Sequence, residues 1–144
     1  MKKSIISIPV IGAFIMAFIT MSSFKNVPSA SASKAPSSSQ SITIFATTTS
    51  SEGSTYFGPV TLSGAINASG SYIMSTEVLG MALHCNFVLT LPNGTITIRM
   101  LCNLVTFNGQ WQILGGTGTY QTLKGNGSLV MPNDSDEILT GVVF

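Results

Sequence analysis

The residues able to do chemistry are few, because this 144-residue chain contains one histidine, two cysteines and five acidic residues. Cys85 and Cys102 could form a disulfide, bind a metal ion or act as nucleophiles. His84 precedes Cys85, but neighbouring side chains of a β-strand point to opposite faces of the sheet. We therefore expect neither a Cys–His catalytic pair nor a metal site, and we expect no cofactor.

The carboxylates form one cluster and one isolated candidate. Asp134, Asp136 and Glu137 could bind a calcium ion weakly, but we favour a solvated turn before the last strand. Glu77 stands alone within a predicted strand. If Glu77 points into the interior of the fold, it is the first candidate for a general acid or base, because burial raises the pKa of a carboxyl group.

The elements that must position these residues are strands. From Ile42 onward, short runs of β-branched and aromatic residues alternate with Gly, Asn and Pro, and no segment has apolar residues at helical spacing. The predicted strands cover residues 41–49, 57–65, 71–79, 82–91, 95–107, 110–115, 126–131 and 137–144. About eight strands at this spacing indicate an all-β barrel or sandwich.

The strongest local prediction is a hairpin over residues 82–104. Asn93-Gly94 is a favoured two-residue turn, because both residues tolerate positive φ. This turn places Phe87 opposite Met100 and collects the apolar side chains of both strands on one face. A slip by one residue would mix the two faces, so we expect the burial of one face to fix this register.

The N-terminus has the three-part order of a secretory signal peptide. Lys2 and Lys3 provide a positive start, residues 5–20 are almost entirely apolar, and Ala30-Ser31-Ala32 fits a cleavage site, with Ala35 as an alternative end. The alternative is an uncleaved membrane anchor. The apolar run spans 16 residues, which is fewer than the roughly 20 that a transmembrane helix needs, so we favour cleavage.

We accordingly predict a signal peptide at 1–32, a flexible Ser/Ala/Pro leader at 33–41 and a β-barrel domain at 42–144, secreted outside the cell or into a periplasm. The mature part has three basic residues against five acidic ones. Three scattered cations cannot displace counterions from a phosphate backbone or bind an anionic membrane. We therefore exclude nucleic acid as a partner and expect no membrane contact after cleavage.

The two cysteines lie opposite each other in the predicted hairpin register. Because an exported protein reaches a compartment that permits disulfides, we predict a cross-strand bridge between Cys85 and Cys102. By closing the loop between the two strands, this disulfide would stabilise the fold by roughly 3 kcal/mol. The alternative is two buried free thiols that act as small hydrophobic groups.

The most distinctive stretch is the glycine-rich segment 111–129. It is not a dinucleotide-binding loop, because Gln121 stands where Gly116-x-Gly118 would need its third glycine and no helix follows. The segment has a strand, then Gly-Gly-Thr-Gly-x-aromatic, then a glycine that opens another strand. It resembles the allene oxide cyclase and dirigent-like barrels, which include many exported bacterial proteins. The matching residues are Gly115, Gly116, Thr117, Gly118, Tyr120, Leu123, Gly125 and Gly127.

The resemblance implies a single antiparallel eight-stranded barrel. Family cyclases use a carboxylate and polar groups inside the barrel to cyclise an unsaturated fatty-acid epoxide, and dirigent members guide the coupling of phenol radicals. Neither set of residues can be matched in this sequence, so the resemblance assigns no activity. We interpret the glycines as structural, giving positive φ and close backbone approach, and we expect Tyr120 to close one end of the barrel.

The favoured function is a secreted, non-catalytic barrel with either a structural role or a binding role, in which the interior would hold a small apolar ligand, because eight strands leave room for packed side chains or one small ligand. One alternative is a cyclase- or isomerase-like enzyme that uses the interior, and another is a surface-interaction module acting through loops. A cavity with a buried carboxylate would favour the enzyme over the non-catalytic barrel.

Overall fold

The computed structural model describes residues 38–144. The predicted signal peptide at 1–32, and the predicted leader as far as residue 37, lie outside the described residues. The strands are β1 (Gln40–Thr47), β2 (Ser50–Glu52), β3 (Thr55–Gly64), β4 (Ala68–Leu79), β5 (Ala82–Leu91), β6 (Gly94–Asn103), β7 (Asn108–Gly116), β8 (Gly125–Val130) and β9 (Asp136–Val143). One 3-10 turn, Gly118–Tyr120, lies between β7 and β8. Within the described residues no helix has the length and apolar character to cross a membrane.

The strands form a closed antiparallel barrel. Each strand from β3 to β9 pairs with its neighbour in sequence, and β1 pairs with both β9 and β3, which closes the sheet. The short β2 continues the line of β1 along β3 after an interruption at Thr48 and Thr49. The sequence prediction of an all-β, eight-stranded antiparallel barrel is confirmed.

The register of the β5–β6 hairpin differs from the prediction by two residues. The turn consists of Pro92 and Asn93, and Phe87 faces Ile98 instead of Met100. Because side chains alternate with a period of two, this shift leaves every residue on its predicted face and changes only the partners. The apolar pattern therefore could not distinguish the two registers.

Gly94, the first residue of β6, lies very close to the backbone of Thr117 and Gly118. A Cβ atom on Gly94 would lie 2.1 Å from the carbonyl oxygen of Thr117, and one on Gly118 would lie 2.0 Å from the carbonyl oxygen of Asn93. Gly118 also has a φ of 62°, in the region that glycine adopts readily. The two glycines thus allow the β5–β6 turn and the β7–β8 connection to meet.

The interior of the barrel is filled mainly by apolar side chains that alternate with outward polar ones. Tyr72 and Phe87 form the aromatic centre, with ring centroids 4.6 Å apart at an interplanar angle of 54°. Each large side chain buried in this way stabilises the fold by roughly 1.5–3 kcal/mol. Others with less than 2% of their surface exposed include Ile44, Val60, Leu89, Ile96, Ile98, Met100, Leu129 and Leu139.

Candidate functional site

The two ends of the barrel interior have different side chains. We call one the glycine-loop end, where Leu91, Ile96, Tyr120 and Val143 are buried beside the β7–β8 connection. We call the other the polar end, defined by Thr48, Tyr72, Cys85, Cys102 and Glu137. Burying a polar group costs free energy unless the group is hydrogen-bonded. Polar side chains inside a barrel therefore need an explanation, and we take the polar end as the candidate functional site.

Glu137 is the central residue of the polar end. It is the second residue of β9, opposite Ala46 of β1, and the alternation that buries Leu139 also turns Glu137 inward, so that 2% of its surface is exposed. Its Oε1 atom accepts a long hydrogen bond of 3.5 Å from Thr48 Oγ1. Its Oε2 atom is buried and has no hydrogen-bond partner among the described residues.

Thr48 links Glu137 to a buried tyrosine. Thr48 lies at the interruption between β1 and β2, where its backbone N–H bonds to the carbonyl oxygen of Ser135 at 2.6 Å. Its Oγ1 atom lies 2.7 Å from the hydroxyl oxygen of Tyr72. When the single Thr48 hydroxyl proton is donated to Glu137, Tyr72 must be the donor to Thr48. The three side chains then form a chain of hydrogen bonds that ends on the carboxylate.

The protonation states at the polar end are set mainly by burial. Burial raises the pKa of Glu137 to about 7, although the Thr48 hydrogen bond opposes this and the nearby Asp136 charge adds to it. Burial also raises the pKa of Tyr72 to about 12, and the hydrogen bond between Tyr72 and Thr48 opposes this rise. At neutral pH, therefore, Tyr72 is a neutral hydroxyl, while Glu137 is divided between its charged and neutral forms.

A cavity of about 130 Å³ lies against Glu137 at this end. It is lined by Thr48, Tyr56, Met74, Thr76, Leu83, Met131, Asp134 and Glu137. An apolar protein cavity of about 150 Å³ holds a benzene molecule, so this space suits a molecule of similar or smaller size. The lining combines apolar side chains with a few polar groups, which is the usual composition of a ligand pocket.

Both cysteines are free, buried thiols, so the predicted disulfide is wrong. The two-residue shift of the hairpin pairs Cys85 with Met100 and Cys102 with Leu83. Burial, with Cys102 and Glu137 nearby, raises the pKa of Cys85 to about 12, and burial raises the pKa of Cys102 as well. Since the thiolate is the reactive form, both thiols are poor nucleophiles at neutral pH.

Glu77 does not belong to the interior. The alternation that turns Tyr72 and Met74 inward on β4 turns Glu77 outward, where it is exposed and pairs across the sheet with His84. Together with Arg99, these residues line a polar groove on the outer surface. Glu77 is therefore not the interior acid or base, and Glu137 occupies that place instead.

The carboxylates of Asp134, Asp136 and Glu137, at the start of β9, do not point toward one common site. Asp136 accepts hydrogen bonds from Asn133 Nδ2 at 2.8 Å and Thr47 Oγ1 at 2.9 Å, and these bonds lower its pKa. Glu137 points into the barrel, while Asp134 is exposed. Over residues 38–144, no group of three or more His, Cys, Asp or Glu side chains is arranged to hold a metal ion.

The residues of the glycine-rich segment lie at the opposite end. Gly115 and Gly116 end β7, Tyr120 is buried in the 3-10 turn with 7% of its surface exposed, and Gly125 opens β8. Gly127 lies within β8 and pairs with both Trp111 and Gly141. The glycine motif and the cavity are thus separate features of the barrel.

Fold and site together define an antiparallel eight-stranded barrel with a small cavity and a buried carboxylate at one interior end. No family model matches the chain, and no curated protein matches it. A similar solved structure is that of a pyocyanin demethylase, which is 18% identical, has a TM-score of 0.44, and is aligned over 70% of this chain and 97% of its own. The barrel assignment follows from the strand pairing of this chain, and the likeness adds nothing about function.

Proposed function

We propose that this protein is a secreted, non-catalytic β-barrel that binds one small molecule in the cavity at its polar end. The observation that carries the proposal is the buried Glu137 Oε2 atom, which lacks a hydrogen-bond partner beside a cavity of about 130 Å³. An unsatisfied buried acceptor costs about 1–3 kcal/mol. A ligand that donates a hydrogen bond to Glu137 recovers that cost only in the bound state.

The lining defines a ligand with an apolar body. Met74, Leu83 and Met131 provide flexible, polarizable or aliphatic surface on the sides of the cavity. The remainder of the interior is occupied by buried side chains. We therefore propose a ligand of about benzene size, with one hydrogen-bond donor directed at Glu137.

Probe molecules of matched size test the binding site. Phenol and toluene have the same shape, but only phenol donates a hydrogen bond. We would titrate each into the full-length protein and follow the backbone amides by NMR. In Glu137→Leu, we expect the affinity of phenol relative to toluene to fall about tenfold, which corresponds to the loss of roughly 1.4 kcal/mol.

The control for this titration is Glu77→Gln, which neutralises an exposed acid on the outer surface. It should leave the phenol-to-toluene ratio unchanged. Failure of both probes to bind the wild type would overturn the proposed function. An unchanged phenol-to-toluene ratio in Glu137→Leu would show that the observed binding does not involve the buried carboxylate.

Export and family membership are part of the same proposal. The order of basic, apolar and small residues over 1–32 supports a signal peptide, and the glycine-rich β7–β8 connection supports an allene oxide cyclase or dirigent-like origin. N-terminal sequencing of protein recovered outside the cytoplasm of an exporting host should begin at Ser33. An intact Met1 on the exported protein would contradict cleavage.

A second candidate is a cyclase- or isomerase-like enzyme, favoured by the buried Glu137 carboxyl with its pKa of about 7 near the Tyr72 hydroxyl. A group that titrates near neutral pH is suited to general acid–base catalysis. Exchange of the α-protons of cyclopentanone into D₂O, followed by NMR, tests for this activity. Exchange that is accelerated by the wild type and abolished in Glu137→Gln would replace the non-catalytic proposal.

A further inference from the structure

We infer that the cavity at the polar end selects a small organic cation, namely a primary ammonium group on a short apolar chain. This inference rests on the proposed binding function and names the ligand class of the same site. It follows from the buried carboxylate and the lining, and from the absence of any cationic side chain of the described residues 38–144 from that lining.

The charges around the cavity have one sign. Glu137 and Asp134 both line it, and the Asp136 charge acts on Glu137 from the preceding position of β9. Within residues 38–144, no Lys, Arg or His is part of the lining. A carboxylate buried without a cationic partner is unfavourable, and an ammonium ligand is the counterion that this end lacks.

The basic residues of the described chain lie elsewhere. Arg99 and His84 are exposed on the outer surface of the barrel. The backbone of Lys124 exchanges hydrogen bonds with that of Phe144 at the glycine-loop end. The negative charge at the polar end is therefore not neutralised by a basic side chain of the barrel.

The hydroxyl groups of the lining favour a donor over an acceptor. Thr48 donates its proton to Glu137 Oε1, and Thr76 donates to the carbonyl oxygen of Ser54 at 3.2 Å. The Thr48 oxygen also accepts from Tyr72, so one of its lone pairs and both of those on Thr76 are left to accept from a ligand. An ammonium group has three donors and no acceptor, so it matches Glu137 Oε2 together with the two threonine oxygens.

The rest of the lining accommodates a short apolar chain and favours a positive charge. The ring of Tyr56 lies on the cavity wall, and aromatic faces attract cations. Met74, Leu83 and Met131 complete the apolar surface. A ligand carboxylate would face the like charges of Glu137 and Asp134, which disfavours small anions.

The test compares n-butylammonium, 1-butanol and butyrate, which share chain length and differ in charge. Calorimetric titration of the full-length protein at pH 8 keeps Glu137 ionised. We expect n-butylammonium to bind at least tenfold more tightly than 1-butanol and butyrate not to bind. Affinity for the cation should fall about tenfold for each pH unit below 7, because protonation of Glu137 removes the counterion.

Three variants test which carboxylate is responsible for the binding of n-butylammonium. Glu137→Gln keeps the side-chain shape, so it should weaken n-butylammonium at least tenfold and change 1-butanol less than twofold. Asp134→Asn should weaken the cation about twofold to threefold, because an exposed charge is screened by solvent. Glu77→Gln, on the outer surface, should change nothing, and thermal unfolding of each variant checks that it is folded.

The outcomes separate the inference from the function on which it rests. If 1-butanol binds and n-butylammonium binds no more tightly, the cation inference is wrong while the small-molecule site stands. If none of the three probes binds, the proposed function fails. Cation binding that survives Glu137→Gln unchanged would also overturn the inference, since the carboxylate would then not be its partner.

Discussion

The glycine-loop end and the polar end are built from the same strands, but different kinds of side chain occupy the interior at each end. At the glycine-loop end Leu91, Ile96, Tyr120 and Val143 are buried members of the apolar core. At the polar end the corresponding space holds Glu137, the Tyr72–Thr48 hydrogen bond and a cavity. One end is closed by apolar packing, whereas the other is left incompletely filled.

This difference separates stability from function within one barrel. Apolar burial at the glycine-loop end stabilises the fold, with each large buried side chain contributing roughly 1.5–3 kcal/mol. The polar end opposes folding, because an ionised carboxyl is buried there without a full set of partners. A group that is unfavourable for folding and lies next to a cavity is a feature that ligand binding can explain.

The largest expected effect comes from opening the glycine-loop end. Tyr120→Ala removes a large buried side chain from the core cluster, so the free energy of unfolding should fall by about 3–5 kcal/mol. Urea denaturation measures this change. Gln121→Ala, at the exposed neighbouring position, is the control and should change stability by less than about 0.5 kcal/mol. A loss below about 1 kcal/mol in Tyr120→Ala would show that the ring does not close this end.

The next largest effect should have the opposite sign and should depend on pH. Glu137 has a folded-state pKa of about 7 against an ordinary value of 4.5. Its contribution to stability is therefore fully present below pH 4.5 and is lost as the pH rises through 7. Glu137→Gln should raise the free energy of unfolding at pH 8 by up to about 3 kcal/mol and change it little at pH 4.5.

Denaturation of wild type and Glu137→Gln across this pH range measures the difference. Glu77→Gln is the matched control, because it neutralises an acid that is exposed on the outer surface. An equal effect of Glu137→Gln at pH 8 and pH 4.5 would contradict a buried, charge-penalised carboxylate. In that case the polar end would differ from the glycine-loop end in packing alone.

A smaller effect distinguishes two glycines of the motif at the glycine-loop end. Gly118 has a φ of 62° and would place a Cβ atom 2.0 Å from the Asn93 carbonyl oxygen. Gly115 has no atom within 4 Å of such a Cβ. Gly118→Ala should destabilise by about 2 kcal/mol, from the left-handed backbone and the displaced turn. Gly115→Ala should lower the free energy of unfolding by less than about 1 kcal/mol. If both variants lower it equally, the motif has no specific structural role at Gly118.

Much of the architecture could be predicted from sequence because alternation and turn residues act locally. The eight strands and the inward face of the 82–104 hairpin follow from a period of two and from glycine and asparagine at the turns, whereas the choice of a barrel over a sandwich came from the resemblance of the glycine-rich segment. The register could not be derived in the same way. Turns at Pro92-Asn93 and at Asn93-Gly94 place the same residues on the same face, so the apolar pattern does not separate them.

The site was harder to predict for a related reason. On β4 Tyr72 and Met74 point inward and Glu77 points outward, but Ile73 lies on the same face as Glu77, so the sequence left the direction of Glu77 open. On β9 both faces contain apolar residues, since Ile138 alternates with Leu139, so alternation does not show which face Glu137 occupies. Its burial depends on pairing with Ala46 of β1, a contact between residues distant in the sequence.

The smallest expected effect concerns the two thiols. A disulfide closing this loop would contribute roughly 3 kcal/mol, which would raise the melting temperature by several degrees for each kcal/mol in a domain of this size. Because Cys85 and Cys102 are free, we expect the melting temperature to be the same with and without a reductant. A loss of stability on reduction would show that the bridge forms after all.

The rate at which the thiols react then compares the two ends directly. Both cysteines are buried at the polar end, and Cys102 Sγ lies 3.6 Å from Sδ of Met131, a residue of the cavity lining, so a thiol reagent reaches them only when the polar end opens. Local openings require less free energy than global unfolding where packing is incomplete. Labelling should therefore be slow in the native protein and yet faster than the global unfolding rate. Labelling that occurs only at the global rate would mean that the polar end is packed as firmly as the glycine-loop end.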